Sequence, residues 1–209
     1  MENLFVTGTD TNVGKTVLSA LLVAALNGTY WKPIQTGAGE GTDRQQVMRW
    51  AELSESRTVA ECYCFDPPVS PHLAAEAAGV TIELGRICRP QRIPAPPLII
   101  EGAGGVLVPI NGSETMLDLI AKLRAPVVVA SRTALGTINH TVLTVRALRR
   151  AGVCVKGVVM IGPESSDNER AVERYGAVPV VGRIPPLDRI CRSTLVQVFE
   201  TSFDRRAFS

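Results

Sequence analysis

The residues with the clearest chemical meaning lie near the amino terminus, in the run GTDTNVGKT at residues 8–16. This run fits the pattern G-x-x-x-x-G-K-[ST], in which glycines allow a tight turn and backbone N–H groups point at phosphate oxygens. The helix predicted to start here adds the positive end of its dipole. In this pattern Lys15 reaches the β- and γ-phosphates, and the hydroxyl of Thr16 coordinates Mg²⁺. The spacing therefore predicts a site for a nucleoside triphosphate with Mg²⁺.

A second lysine and two acidic residues follow other predicted elements. Lys32 ends a strand within YWKPIQTG, Glu101 directly follows a short apolar strand, and Asp43 lies at the start of a predicted helix. Ligands of parallel α/β sheets bind at the carboxyl ends of the strands, so we expect Lys32 near Lys15. Two cations at one triphosphate would stabilise the transition state of phosphoryl transfer. Glu101 is expected on the metal side, and Asp43 fits either a Mg²⁺ ligand or a helix N-cap.

Two further segments carry polar groups without a clear assignment. Ser70-Pro71-His72 offers a hydroxyl and an imidazole, for which a helix N-cap followed by a structural histidine is preferred over a general base. The segment 136–140 begins a predicted helix whose N–H groups could bind a carboxylate, and an ordinary helix start fits it equally well. The five cysteines lack the spacing of zinc ligands and are interpreted as free thiols in a reducing compartment.

The elements that must position these residues alternate along the chain. Short Val/Ile/Leu runs, typical of strands covered on both faces, are separated by helical patterns. Strands are predicted at residues 4–7, 29–34, 98–100, 126–130, 153–161 and 178–184, and helices at 15–25, 43–53, 139–151 and 164–175. We therefore expect an α/β fold of the P-loop NTPase type. It is a three-layer sandwich with a mostly parallel central sheet, in a single domain over residues 1–209 with an irregular proline-rich insertion at 58–97.

Composition excludes several classes of function. Apolar residues make up 45% and charged residues 20% of the chain, which is typical of a globular protein. The net charge of +2 gives no reason to expect nucleic acid or an anionic membrane as a partner. Without a secretion signal or an apolar run of membrane-spanning length, the expected location is the cytoplasm. The amphipathic residues 194–208 predict a core or dimer helix, because Glu200 and Asp204 disfavour binding to anionic lipid.

Seven motifs together resemble the dethiobiotin synthetase family, over nearly the whole chain. They are GTDTNVGKT, YWKPIQTG, TD at 42–43, SPH at 70–72, IEGAGG at 100–105, LGTINH at 135–140 and GRIPPL at 182–187. The resemblance implies a homodimeric, Mg²⁺- and ATP-dependent cyclo-ligase that acts on 7,8-diaminopelargonate and CO₂ or bicarbonate. It implies a carbamate, then a carbamic–phosphoric anhydride, then closure of the cyclic urea with release of ADP and phosphate.

The resemblance also implies roles for individual residues. Lys32 would contact the carbamate and the γ-phosphate, and Lys15 the triphosphate. Thr36 would bind the substrate, and Asn139 is a candidate contact of the substrate carboxylate from the second subunit. The implied Mg²⁺ ligands are Thr16, Asp43 and Glu101. The other implied nucleotide contacts are Asn12, Val13, Gly14, Val17, Gly102, Ala103, Gly104, Ile161, Gly162, Pro185, Pro186 and Leu187.

One departure from the family concerns the nucleotide base. After the strand that ends near Met160, the family often has Asn-Asp, and its Asn reads the adenine edge. Here Ile161 and Gly162 occupy those positions. A buried amide rejects a wrong base strongly and an apolar contact does not, so the sequence predicts a nucleoside triphosphate more firmly than ATP alone.

Two other classes of protein share this kind of phosphate loop and are alternatives to the ligase. A MinD/ParA-like ATPase, whose nucleotide state switches binding to a partner, carries an extra lysine early in the phosphate loop, where this chain has Thr9-Asp10-Thr11. An amide-forming synthetase of the cobyrinate type usually carries a glutaminase domain, for which 209 residues leave no room. Both features favour the cyclo-ligase.

Overall fold

The computed structural model describes residues 2–208 and contains a seven-stranded parallel sheet between two layers of helices. The strands are β1 (Leu4–Gly8), β2 (Thr29–Trp31), β3 (Ile34–Thr36), β4 (Thr58–Val59), β5 (Tyr63–Phe65), β6 (Leu98–Gly105), β7 (Val127–Arg132), β8 (Val155–Ile161) and β9 (Val180–Ile184). The order across the large sheet is β4-β2-β6-β1-β7-β8-β9. Strands β3 and β5 form a separate parallel pair.

Seven α-helices are present within residues 2–208. They are α1 (Lys15–Leu26), α2 (Asp43–Ala51), α3 (Pro71–Ala77), α4 (Met116–Leu123), α5 (Thr137–Arg150), α6 (Ser166–Gly176) and α7 (Arg192–Ser202). Helices α1, α2 and α7 cover one face of the sheet, and α3 to α6 cover the other. The expected α/β three-layer sandwich with a parallel sheet is therefore confirmed.

The alternation of side chains along each strand explains why both faces need helices. In β1, Leu4 and Val6 pack into the layer of α1, whereas Phe5 packs into the opposite layer. Successive side chains of a strand point to opposite faces, so a continuous apolar run requires cover on both sides. Helix α1 supplies much of that cover, because most of its residues are buried.

The structure corrects the expected strand at residues 29–34. It consists of two strands in different sheets, β2 and β3, separated by Lys32 and Pro33. Proline has no N–H to donate to a neighbouring strand, which favours a break at this point. The carbonyl of Pro33 instead accepts from the N–H groups of Cys62 and Tyr63, which lead into β5.

The irregular, proline-rich insertion expected at 58–97 contains strands that the sequence did not predict. The segment contains α3 and two short strands, and one of them, β4, is the edge strand of the large sheet next to β2. Helix α4 was not predicted either. It begins after Thr115, whose side chain pairs with Asp118 in a capping box.

The C-terminal helix α7 is a core element. Its Phe199 packs against Phe203 and Phe208, with ring centroids 5.3 and 5.6 Å away. The ring of Phe203 lies so close to Gly182 of β9 that a Cβ there would be 2.4 Å from it. The core alternative for this segment is therefore the observed one. Among residues 2–208, no helix combines the length and apolar character needed to cross a membrane.

We expect Phe203→Ala to lower the free energy of unfolding by about 3–5 kcal/mol, the range for truncating a buried aromatic residue. Phe203 is 8% exposed and closes the contact between the last strand and the C-terminal segment. Urea denaturation followed by circular dichroism measures the change. Tyr175→Ala is the control, because Tyr175 is 59% exposed and should change stability little. Equal effects of the two substitutions would contradict this account of the C-terminal packing.

Candidate active site

The loop between β1 and α1 has the form of an anion site. Asn12 and Gly14 both adopt the left-handed backbone conformation, with φ of 57° and 94°. At Gly14 a Cβ would also lie 2.9 Å from the side chain of Ile161, so a larger residue does not fit there. Within residues 2–208, the N–H groups of Asn12, Val13 and Gly14 have no hydrogen-bond acceptor. With the free N–H groups of the first turn of α1, they can bind phosphate oxygens.

Lys15 is buried without a carboxylate partner in hydrogen-bond contact. Its Nζ donates to the backbone oxygen of Asp10 at 2.8 Å, and the residue is 7% exposed. Burial lowers the pKa of Lys15 to about 8, and the nearby charge of Lys32 acts in the same direction against the opposing effect of Glu101. A buried ammonium held only by a carbonyl is suited to bind an anion that brings a full negative charge.

The side chain of Glu101 connects three elements. It is 1% exposed at the end of the apolar part of β6. Its Oε1 accepts from Thr16 Oγ1 of α1 at 2.9 Å and from Lys32 Nζ at 3.3 Å, and its Oε2 accepts from the hydroxyl of Tyr30 at 3.0 Å. In the register of β2 with β6, Trp31 lies opposite Ile100, which brings the next residues, Lys32 and Glu101, together.

Lys32 forms ion pairs with two carboxylates, those of Asp43 and Glu101. Burial alone would lower the pKa of Lys32, but the charges of Glu101 and Asp43 outweigh it and raise that pKa. Lys32 is therefore a charged ammonium at neutral pH. The expectation that it lies near Lys15 agrees with the electrostatic interaction between the two lysines.

Asp43 is held in place by the turn that precedes α2. The N-cap of α2 is Thr42, which forms a capping box with Gln45, so the N-cap alternative for Asp43 is wrong. The backbone N–H of Asp43 donates to the side chain of the buried Gln35 at 3.1 Å. The carboxylate of Asp43 therefore does not cap the helix, and its Oδ2 accepts from Lys32 Nζ.

These side chains fit a magnesium ion by the nature of their donors. Mg²⁺ prefers oxygen ligands and usually keeps water and phosphate oxygens in its shell beside one or two carboxylates. Thr16, Asp43 and Glu101 offer one hydroxyl and two carboxylates around the ammonium of Lys32, so the pocket already stabilises positive charge. Residues 2–208 contain no group of three or more His, Cys, Asp or Glu side chains that could hold a metal ion. A magnesium ion here would therefore need phosphate or water oxygens as further ligands.

The remaining predicted nucleotide contacts lie at the carboxyl edge of the same sheet. Residues 102–104 continue β6 beside the start of the phosphate loop, where Gly105 pairs with Gly8. Ile161 ends β8 and packs on Gly14, and the N–H of Gly162 donates to the carbonyl of Ile184 at 2.9 Å. The segment 185–187 follows β9, with Pro185 and Pro186 exposed and Leu187 packed against the layer of α1. Val17 lies in the first turn of α1.

The two predicted substrate contacts, Thr36 and Asn139, are not joined within the chain. Thr36 ends β3, next to α3 with its hydrogen-bonded Ser70 and His72, whereas Asn139 is exposed in the first turn of α5. No hydrogen bond among residues 2–208 connects Thr36 with Asn139. Ser70 occupies the N-cap position of α3, as predicted, but its side chain forms no capping hydrogen bond.

A groove of about 400 Å³ runs between the phosphate loop and α5. Residues 9–11, residues 105–109 and His140, Leu143, Thr144 and Ala147 line it. Buried hydrogen bonds hold the first turns of α5 beside the groove. The hydroxyl of Ser131 in β7 lies 2.7 Å from the hydroxyl of Thr137 and 2.6 Å from the hydroxyl of Thr141. Leu107 and Leu143 are 64% and 57% exposed at this groove.

Two polar residues of the site were not found from the sequence. Tyr30 and Gln35 are both buried, and they hold Glu101 and Asp43 respectively. The strand pattern contained a signal for Tyr30, because residues two apart on a strand share a face and Tyr30 lies two residues before Lys32. Gln35 carried no comparable signal, since its partner lies beyond a turn.

Known proteins resemble this chain over nearly its whole length. A family model described as an AAA domain matches residues 2–194. An ATP-dependent dethiobiotin synthetase of Nitrobacter hamburgensis is 48% identical over 96% of this chain and 93% of its own length. The protein of the same name from Novosphingobium aromaticivorans is 45% identical over 97% of each chain.

The chain belongs to the dethiobiotin synthetase family. Its members are ATP-dependent ligases by name, so the recognition made on seven sequence motifs is confirmed. Solved structures with this fold include a ParA family ATPase from Chlorobium tepidum, with a TM-score of 0.56 at 12% identity over 96% of this chain and 93% of that one. A Cyanothece McdA–ATP complex gives 0.55 at 14% identity over 94% and 87%. At such identities the likeness shows the P-loop fold and no shared function.

In this dethiobiotin synthetase family member, the lowered pKa of Lys15 predicts a pH dependence of nucleotide binding. Above its pKa of about 8, Lys15 is neutral in the free protein. A bound triphosphate favours the charged form, so binding takes up a proton and weakens with rising pH, by at most roughly tenfold per unit. Calorimetry with a non-hydrolysable ATP analogue, in buffers of different ionisation enthalpy between about pH 7 and 9, measures the proton uptake.

The control is Lys15→Arg, because a guanidinium keeps its charge throughout this pH range. We expect this variant, to the extent that it binds, to lose the proton uptake. An affinity of the unmodified protein that stays constant across the range would contradict the assignment of Lys15 to the phosphates.

Proposed function

We propose that this chain converts 7,8-diaminopelargonate and CO₂ into dethiobiotin with cleavage of ATP to ADP and phosphate. The observation that carries the proposal is the ion-pair cluster of Lys32 with Asp43 and Glu101 beside the phosphate loop. Two relatives that this chain matches over 93% and 95% of their length carry the name of that activity.

The reaction requires positioning and positive charge more than a strong base. One amine of the diamine adds to CO₂ and loses a proton, which gives a carbamate. A carbamate oxygen attacks the γ-phosphorus and displaces ADP, forming a carbamic–phosphoric anhydride. The second amine attacks the carbamoyl carbon, expels phosphate, loses a proton and closes the cyclic urea. Since the carbamate is itself the nucleophile, catalysis depends on holding it in line and on stabilising charge on the phosphoryl oxygens.

The two lysines divide the work of charge stabilisation. Lys15, which lacks a carboxylate hydrogen-bond partner, binds the triphosphate through its ammonium. Lys32, at the carboxyl end of β2, contacts the carbamate and the γ-phosphate and stabilises the charge that develops between them. Thr16, Asp43 and Glu101 would hold Mg²⁺, which supplies further neutralisation of the β- and γ-phosphates when it is bound.

We infer that a homodimer completes the substrate site. Leu135, Leu107 and Leu143 are exposed on one side of the molecule, around the start of α5 and the adjacent groove. Thr36 lies on β3 and Asn139 on α5, and no hydrogen bond in the part of the chain that the structure describes connects the two residues. We therefore propose that Thr36 of one copy and Asn139 of a second copy contact the same substrate, with Asn139 at its carboxylate. The N–H groups at the start of α5 favour a carboxylate there.

The residue that faces the expected position of the nucleotide base is apolar. Ile161 packs on Gly14 of the phosphate loop, where it offers an apolar surface and no hydrogen bond to a base edge. Discrimination by apolar contact is weak compared with that by a buried amide. We therefore propose ATP as the co-substrate with relaxed selection against other nucleoside triphosphates.

Phosphate release from the purified protein tests the proposed reaction. With Mg²⁺ and ATP, we expect release only when both 7,8-diaminopelargonate and bicarbonate are present. Parallel assays with CTP and GTP give the base ranking, which should differ little between nucleotides because the apolar Ile161 occupies the position of the family's base-reading amide. Release that ignores the diamine would reject the ligase, and a MinD/ParA-like nucleotide-switched ATPase would then become the better proposal.

Lys32→Ala tests the central residue of the site. We expect turnover to fall by about 10²–10³, the typical effect of removing one charge-stabilising donor, while most nucleotide affinity remains because Lys15 and the loop are unchanged. Lys156→Ala is the matched control, since Lys156 lies at the start of β8 and, within residues 2–208, forms an ion pair only with the exposed Glu2. Steady-state kinetics and analogue binding give both quantities. Unchanged turnover of the Lys32 variant would disprove its assigned role.

A further inference from the structure

The carboxylate of Glu101 has two oxygens with different partners. Oε1 accepts from Thr16 and Lys32, the two groups that face the phosphate site, whereas Oε2 accepts from the hydroxyl of Tyr30. We propose that Tyr30 is a positioning residue that fixes the rotation of the Glu101 carboxylate, so that Oε1 alone is presented to the metal. The inference rests on the proposed function, since it takes Glu101 as a ligand of Mg²⁺.

The geometry follows from the pairing of two strands. Tyr30 of β2 lies two residues before Lys32, which directly follows the strand, so the two share one face, as Ile99 and Glu101 do on β6. Tyr30 lies opposite Ile99 in the parallel register, and both pack into the layer of α1. The hydroxyl of Tyr30 therefore reaches Glu101 from the buried side, and Lys32 reaches it from the edge of the sheet.

The contact has the character of a fixed support. Tyr30 is fully buried, with its ring enclosed by apolar side chains of the α1 layer, so the hydroxyl has little freedom to move. Without that hydroxyl, Oε2 would be a buried acceptor without a partner, and the carboxylate would turn to share both oxygens among its remaining donors. Mg²⁺ demands near-ideal octahedral geometry, so a turned ligand weakens its binding.

Tyr30→Phe removes the hydroxyl and keeps the ring. The loss of a residue that orients a metal ligand typically lowers metal affinity about 10- to 100-fold. We expect Tyr30→Phe to lower the affinity for Mn²⁺, a paramagnetic substitute for Mg²⁺, by that factor. Electron paramagnetic resonance in the presence of a non-hydrolysable ATP analogue measures the bound Mn²⁺. Analogue binding without metal should stay close to that of the unmodified protein, whereas the thermal midpoint should fall modestly because one buried hydrogen bond is lost. Tyr175→Phe, on an exposed tyrosine of α6, is the matched control.

A rescue variant separates positioning from packing. Replacing Tyr30 with 4-aminophenylalanine keeps a hydrogen-bond donor at the same place, and Mn²⁺ affinity should recover. If Tyr30→Phe loses its fold, the comparison of the rescue variant with 4-methylphenylalanine at this position, which has similar size and no donor, makes the same test. Equal Mn²⁺ affinity of donor and non-donor variants overturns the inference.

Glu101→Gln, measured in parallel, distinguishes this inference from the proposed function. If Glu101→Gln weakens Mn²⁺ binding and Tyr30→Phe does not, Tyr30 has no positioning role and the proposed metal site stands. If neither substitution changes Mn²⁺ binding, the metal site is wrong and the role of Tyr30 is rejected with it. A loss of metal-free analogue binding in Tyr30→Phe, equal to the loss with metal, would mean general damage to the site and would also overturn the inference.

Discussion

The carboxylate of Glu101 is the group on which both the fold and the site depend. It is buried in the middle of the molecule, and its partners come from the start of α1 and from β2. Leaving such a charge without partners costs several kcal/mol, so the chain must bring Thr16, Tyr30 and Lys32 to it in order to fold. The order of β2 beside β6, and of both beside α1, satisfies this requirement and assembles the phosphate site at the same time.

The two lysines of the site show how environment separates chemically identical groups. Lys32 is held between two carboxylates, and its pKa is raised, whereas Lys15 bonds to a carbonyl, and its pKa is lowered by burial. The first lysine is neutralised by the protein itself. The charge of Lys15 is balanced only by carboxylates at longer range. A bound phosphate could supply the negative charge that Lys15 lacks in direct contact. The cluster of two lysines and two carboxylates has no net charge, so in the proposed reaction a bound triphosphate would need the added positive charge of a divalent ion.

Local sequence was enough to predict the parts of the molecule that depend on neighbouring residues. The phosphate loop is one continuous run, and the buried strands are recognisable because both their faces are apolar. The break between β2 and β3, the edge strand β4 and the role of Tyr30 depend on distant residues; Tyr30 and Glu101 are 71 positions apart. The N-cap of α2 could have been assigned correctly, because Thr42 and Gln45 form the spacing of a capping box. The role of Gln35 could not have been predicted, since no residue near it in the sequence indicates that its side chain accepts from the N–H of Asp43.

The position of β1 at the centre of the sheet also determines how the chain can fold as it is synthesised. Its two neighbours are β6 and β7, which begin at Leu98 and Val127, so the first strand has no partner until half of the polypeptide has been made. During that time the leucine-rich α1 has little to pack against. Parallel pairings of this kind form slowly because they join distant segments, and they leave apolar surface open to aggregation. The apolar residues of β1 and α1 therefore stay without their sheet partners for the first half of synthesis, and a faster closure of the sheet would shorten this exposure.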